Sequence, residues 1–242
     1  MTPPTTSSWF SVTEKMVTTK AMIRIALTQF HPASNESETL SQLRHWLEAA
    51  MERKADLVVF PEVQTTQPLS STNVLLESLQ EWSIEFGIWI LAGSAPLKGK
   101  PTSLLWDIDG DAVIAHTHKP TGHIKLAPTP WGWLGIGHTP FDLHRPDAFH
   151  ATAKKRPIAW VFTGAQTTPQ EKTRYEVLTR ARALDTGIPV LAANLCAPEG
   201  ETPSPGKTPW GHTRIVLADG RVTSERPQGP GIVFADIESD AG

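Results

Sequence analysis

Glu62 stands where a carboxylate is hard to keep idle. Leu57-Val58-Val59-Phe60 is a short apolar run that reads as a buried strand, bounded by Pro61. The carboxylate that follows sits at the mouth of that strand. It is costly there unless it is hydrated, paired or used. Cys196 is the only thiol; it follows the apolar run Ile188–Leu195 and reads first as a buried, inert cysteine. A relocated nucleophile is the alternative at that position. His116, His118 and His123 partly alternate and raise the question of a metal. No carboxylate or cysteine is close to them in sequence, and they lack helical i,i+4 spacing, so no metal and no cofactor is expected. Trp131 and Trp133 are large enough to line a pocket, but they read as loop anchors over a core edge.

The elements that must position these groups can be read from periodicity. Ile23–Phe30 alternates as a first strand. Ser34 or Asn35 caps a helix with Leu40, Leu43, Trp46, Leu47 and Ala50 at 3/4 spacing. Leu57–Phe60 is the second strand. Val74–Phe86 reads as a second helix stopped by Gly87, and Ile88–Gly93 as a third strand. Asp109-Gly110 is a hairpin turn between Ser103–Ile108 and Ala112–His116. This βαβαβ-plus-hairpin order predicts a mixed sheet with helices on one face. Residues 120–157 are rich in proline and read as irregular. Pro157–Phe162 is a strand, and Pro169–Leu184 a helix with Tyr175, Leu178, Ala181 and Leu184 on one stripe. Ile188–Leu195, Thr213–Leu217, Arg221–Glu225 and Gly231–Ile237 supply the closing strands, with a second turn at Asp219-Gly220.

Composition narrows the function classes. The chain has 242 residues, 39% hydrophobic and 19% charged, which suits one globular domain with a substantial core. A net charge of −3 with scattered basic residues leaves no nucleic-acid footprint. One cysteine excludes an intramolecular disulfide and fits a reducing, cytoplasmic location. No apolar run approaches the roughly 20 residues of a membrane helix. Residues 1–21, rich in Thr, Ser and Pro without a hydrophobic run, are expected to be a disordered extension before a single domain over 22–238.

Five pieces in order carry a resemblance. They are Ile23–Phe30; Ala55–Glu62; Ser103–Lys119; Arg180–Leu184 with Pro189–Asn194; and Gly211–Ile215 through Asp219-Gly220 to Phe234–Ile237. Together they resemble the nitrilase, or carbon–nitrogen hydrolase, superfamily over roughly residues 22–238. The resemblance implies a four-layer α-β-β-α sandwich with a shortened middle region. It also implies the family's chemistry, in which a cysteine attacks an amide or nitrile carbon, a glutamate takes the thiol proton and a lysine steadies the oxyanion. Glu62 matches the glutamate. Lys119, nine residues past Gly110, matches the lysine, with Lys125 as the competing candidate. Glu62 and that lysine, Lys119 by preference, are expected to form a buried pair. No cysteine matches the nucleophile. Depending on register, Pro140, Phe162 or Thr163 takes its place.

The resemblance therefore implies an amidase-type protein impaired in thiol chemistry, binding a small amide or carboxylate near Glu62 and Lys119. An active hydrolase using Cys196 or a Glu62-activated water, and a non-catalytic regulatory or structural subunit, remain the alternatives. Family members commonly pair through an outer helix. A homodimer is expected here, and Val177, off the apolar stripe of Pro169–Leu184, is a modest independent hint of a contact surface.

Overall fold

The computed structural model describes residues 22–63, 72–97, 100–119 and 122–239; the extension expected over 1–21 lies outside them. The first half of the chain is β1 (Met22–Gln29), α1 (Glu36–Glu52), β2 (Leu57–Glu62), α2 (Thr72–Phe86), β3 (Trp89–Leu97), β4 (Lys100–Trp106) and β5 (Ala112–Thr117). The second half is β6 (Lys125–Thr129), β7 (Gly132–His138), α3 (Thr139–Asp142), α4 (Pro146–Ala153), β8 (Ala159–Gly164), α5 (Pro169–Thr186), β9 (Val190–Asn194), β10 (Thr213–Val216), β11 (Val222–Arg226) and β12 (Gly231–Glu238).

These strands form two six-stranded sheets, β12-β1-β2-β3-β4-β5 and β11-β10-β9-β8-β7-β6. Within the first, β1, β2 and β3 run parallel; within the second, β7, β8 and β9 do. Three apolar layers hold the molecule together. Leu57, Val59, Leu91, Leu105, Leu134, Ile136 and Val161 interdigitate between the sheets. Val58 and Phe60 pack outward on Leu43 and Leu47 of α1 and Leu75 and Leu79 of α2. Trp160 and Phe162 pack the other way, on Phe149 of α4 and Tyr175 of α5. Alternate residues of each central strand thus serve different layers, as a period of two requires. The result is the α-β-β-α sandwich.

Local signals set the helix ends. Asn35 caps α1 by accepting from the Glu38 N–H. Thr168 and Glu171 close a capping box on α5, and Gly187 ends that helix at φ 67°, a left-handed position that glycine occupies without strain.

Two expectations need correction. Residues 120–157 are not irregular: they hold β6, β7, α3 and α4. Pro128 disguised β6, but β6 pairs only with β7, and an edge strand tolerates proline. The stripe of α5 was also misplaced. Its buried face is Tyr175, Thr179, Arg182 and Ala183, whereas Leu184 is 58% exposed. Steps of three residues drift, and nine residues from Tyr175 is about half a turn away.

Candidate active site

The columns of side chains between the sheets run apolar for most of their length and turn polar at one end. On β7 the column is Leu134, Ile136, His138; on β8 it is Ala159, Val161, Thr163; toward the end of β5 it is Ile114, His116. Period-two alternation continues past β5, so His118 faces inward as well. Glu62 needs one more device. Leu57 and Val59 face the opposite sheet, so strict alternation would send Glu62 toward the helices. A register shift between Phe60 and Glu62 against β3 re-aims it. All these groups meet at the carboxyl ends of the parallel strands, where open α/β sheets place their ligands.

The Glu62 carboxylate is bonded to His138: Oε1 accepts from Nε2 at 2.7 Å, and both side chains are buried. The His138 ring stacks on His118, with centroids 4.7 Å apart. His118 Nε2 is 2.8 Å from Ser103 Oγ, and its Nδ1 is 3.6 Å from Asp142 Oδ2. Asp142 is wholly buried. Its Oδ1 accepts the His123 N–H at 2.7 Å and its Oδ2 the His138 N–H at 2.6 Å. His116 Nε2 donates to the His123 carbonyl at 3.1 Å. Burial, reinforced by His118 and His123, pushes the His116 ring down to about 4. Burial also lowers His118, against the opposing pull of Asp142. Both imidazoles are therefore neutral at neutral pH.

The sheets approach closely here. A Cβ on Gly93 would lie 2.6 Å from Thr163 Cβ and 2.7 Å from the carbonyl oxygens of Phe60 and Pro61. Next to it, Ser94 adopts φ 22°, a strained backbone of the kind that gathers at functional sites. Ser94 Oγ, His118 Nδ1, His138 Nδ1, Thr139 Oγ1 and Thr163 Oγ1 are all buried without a hydrogen-bond partner. Such atoms recur elsewhere in the molecule, but these five share one end of the sandwich with Glu62.

The sequence candidates distribute unevenly over this geometry. Glu62 is central. Lys119 is exposed, and the expected buried Glu62–Lys119 pair is absent from the contacts of the described residues. Alternation explains this, since Lys119 is out of phase with Ile114, His116 and His118. Lys125, at the start of β6, is exposed too. Of the residues proposed in place of a cysteine, Phe162 belongs to the core under α4 and α5, and Pro140 lies in α3. Thr163 does border the site, opposite His138 in the β7–β8 register. His138 meets Glu62, and no motif singled it out. Cys196 is buried past β9, where its N–H bonds the Phe30 carbonyl. Burial pushes its thiol up to about 12, and the charge acting on it belongs to Arg226, not Glu62. Trp131 is buried between the sheets against Trp89, and Trp133 is 39% exposed.

Fold and sequence together define the class: the chain belongs to the carbon–nitrogen hydrolase family, whose pattern matches residues 24–122 and 161–242. The stretch between those spans contains His138 and Asp142. Among particular relatives, it is 26% identical over 193 residues to the deaminated glutathione amidase of Yersinia enterocolitica, covering 68% of this chain and 66% of that protein. It is 24% identical over 252 residues to the omega-amidase NIT2 of Danio rerio, covering 89% and 88%. An amidase from Nesterenkonia sp. shares the fold with a TM-score of 0.76 at 19% identity, over 94% of this chain and 95% of that one. Saccharomyces cerevisiae Nit3 does so with a TM-score of 0.75 at 20% identity, over 91% of each. An amidase from Nesterenkonia sp. AN1 has been solved with acrylamide added at its active-site cysteine. No helix among the described residues is long and apolar enough to cross a membrane.

Proposed function

We propose that this chain is an amidase-type protein whose buried polar cluster at Glu62 binds a small amide or carboxylate but runs no thiol-based hydrolysis. The observation that carries the reading is the 2.7 Å bond from Glu62 to His138. A thioester route needs a thiolate beside the carboxylate, and the carboxylate is instead engaged by an imidazole. The only thiol, Cys196, is buried elsewhere and held protonated. Within this reading Glu62 is the retained acid–base group. Lys119 would contribute only if the loop that carries it folded inward on a ligand. The protein is read as cytoplasmic and homodimeric. Support for pairing comes from α5, which exposes Val177 at 60% and Leu184 at 58%. Light scattering that returns the 26.5 kDa monomer at micromolar concentration would refute the dimer.

Simple amides, nitriles and N-carbamoyl amino acids test the activity. Negligible turnover and no acyl-enzyme adduct by intact mass are expected, because losing a nucleophile that works with its base removes most of the rate. Turnover abolished by Cys196→Ala would overturn the reading in favour of a relocated nucleophile. Turnover that survives Cys196→Ala but is lost in Glu62→Gln would point to water attack directed by the carboxylate.

A further inference from the structure

The arrangement at the polar end of the sandwich has a chemistry of its own, independent of amide hydrolysis. A ring nitrogen of His116, a ring nitrogen of His118 and a carboxylate oxygen of Asp142 lie within 4.8 Å of one another, and all three residues are buried. We propose that His116, His118 and Asp142 hold a divalent transition-metal ion of the zinc class.

The hydrogen bonds around the rings support this. A carbonyl can only accept, so the His116 bond to the His123 carbonyl puts the proton on Nε2 and leaves Nδ1 a bare lone pair. A carboxylate oxygen accepts in the same way, so the neighbouring His138 carries its proton on Nε2 toward Glu62. Its Nδ1 is left unpartnered. Ser103 occupies Nε2 of His118, and the remaining Nδ1 is buried and unpartnered, 3.6 Å from Asp142 Oδ2. That separation is too long for a hydrogen bond. It is close to the spacing of two ligands on one tetrahedral ion, roughly 3.3 Å when each bond is about 2.0–2.1 Å. Metal-binding histidines characteristically donate their other N–H to a carbonyl, carboxylate or hydroxyl, which fixes the tautomer and aims the lone pair. His116 is so oriented by His123, and His118 can be so oriented by Ser103.

Charge points the same way. Asp142 is wholly buried, and among the described residues no lysine or arginine pairs with it. A cation would offset the buried carboxylate. Three protein ligands leave a coordination position open, the composition of a site that can accept water or a small ligand. The contrast with a second cluster is instructive. Glu176, His212 and Glu225 also converge, but Arg214 and His212 already engage Glu225, and Lys172 lies 3.5 Å from Glu176. Those charges are neutralised by protein, and no metal is called for.

The test is Co²⁺ and Zn²⁺ binding to the full chain after chelator treatment. Absorption of the cobalt form is read alongside metal content and melting temperature. One ion per chain is expected, with d–d bands of low-symmetry N/O coordination and a higher melting temperature on adding zinc. Ser103→Ala, which removes an orienting partner, is expected to weaken binding ~10–100-fold. His118→Gln and His116→Gln are each expected to weaken it by ~100-fold or more. Circular dichroism identifies any variant that fails to fold; with two independent ligand variants and the milder Ser103→Ala, at least one readout stands. A folded wild-type protein that binds neither ion would overturn the proposal. So would binding that is unchanged in folded His118→Gln, which would place the ion at other histidines. The readout is occupancy, so it stands or falls separately from the hydrolysis assays.

Discussion

Alkylation of Cys196 is the sharpest perturbation of the functional reading, because the chain has one thiol and every adduct reports on it. In the folded protein that thiol is 0% exposed and is pushed from 9.0 up to about 12 by burial. Thiolate, not thiol, reacts with iodoacetamide. At pH 7.5 a cysteine of ordinary pKa is a few per cent thiolate, whereas one at 12 holds ~1,000-fold less. Native labelling is therefore expected to run at least ~1,000-fold slower than labelling in denaturant. Exclusion from solvent slows it further, to the frequency of local opening. The pH profiles should differ as well. The denatured rate levels off near pH 9, while the native rate keeps rising about tenfold per pH unit beyond it. The same shift predicts stability lost on the alkaline side. The folded pKa lies above the unfolded one, so the contribution is complete below pH 9 and declines as the pH rises from 9 toward 12. Intact-mass measurement of the adduct over time gives both rates. A native rate within tenfold of the denatured one, or a plateau near neutral pH, would reveal an activated thiol and refute the reasoning.

Other perturbations follow from the packing of the site. Glu62→Gln keeps an acceptor for the His138 N–H but loses the charge that strengthens the bond, a cost of ~1 kcal/mol by urea unfolding. Glu62→Ala leaves that buried N–H unpaired and costs ~1–3 kcal/mol, so a Glu62→Ala variant as stable as Glu62→Gln contradicts the pair. Gly93→Ala forces a methyl into Thr163 and two backbone carbonyls that cannot yield cheaply, for a loss of ~1–3 kcal/mol; an unchanged melting temperature would mean that the sheets do not meet there. Thr168→Ala breaks the capping box of α5 and should cost ~1 kcal/mol, read as a fall of ~2–4 °C in melting temperature. An equal effect in Thr173→Ala, where the hydroxyl only bonds back to Pro169, would show that the cap is not the cause.

Most of the architecture was legible because it depends on period and punctuation. The helices announced themselves at Asn35, Gly87 and Pro169, and the central strands as apolar runs. The segment from β6 to α4 was not, for a physical reason. Gly135 and Gly137 leave room for the rings of Trp160 and Phe162, so β7 carries little side-chain signal of its own. Pro128 is harmless on an edge strand yet reads as a breaker.

The site was half legible for a related reason. Glu62 could be found from its strand, but its direction could not, because a bulge set by the neighbouring strand decides which layer it faces. Lys119 drew attention as a charge after a turn, while alternation from Ile114 was already pointing to His116 and His118. That signal is present in the sequence. Asp142 could not have been assigned to His118 by spacing: β6, β7 and the start of α3 lie between them in sequence. Closure of the second sheet onto the first brings the two within 3.6 Å. A histidine cluster without a carboxylate nearby in sequence is weak evidence for a metal. The fold supplies the missing carboxylate, and it does so in the stretch that the family's pattern leaves unmatched. The two-sheet frame shared with amidases of the family can thus present a carboxylate–imidazole set. Which chemistry it presents depends on the residues that end β2, β5 and β7, and not on the sandwich that carries them.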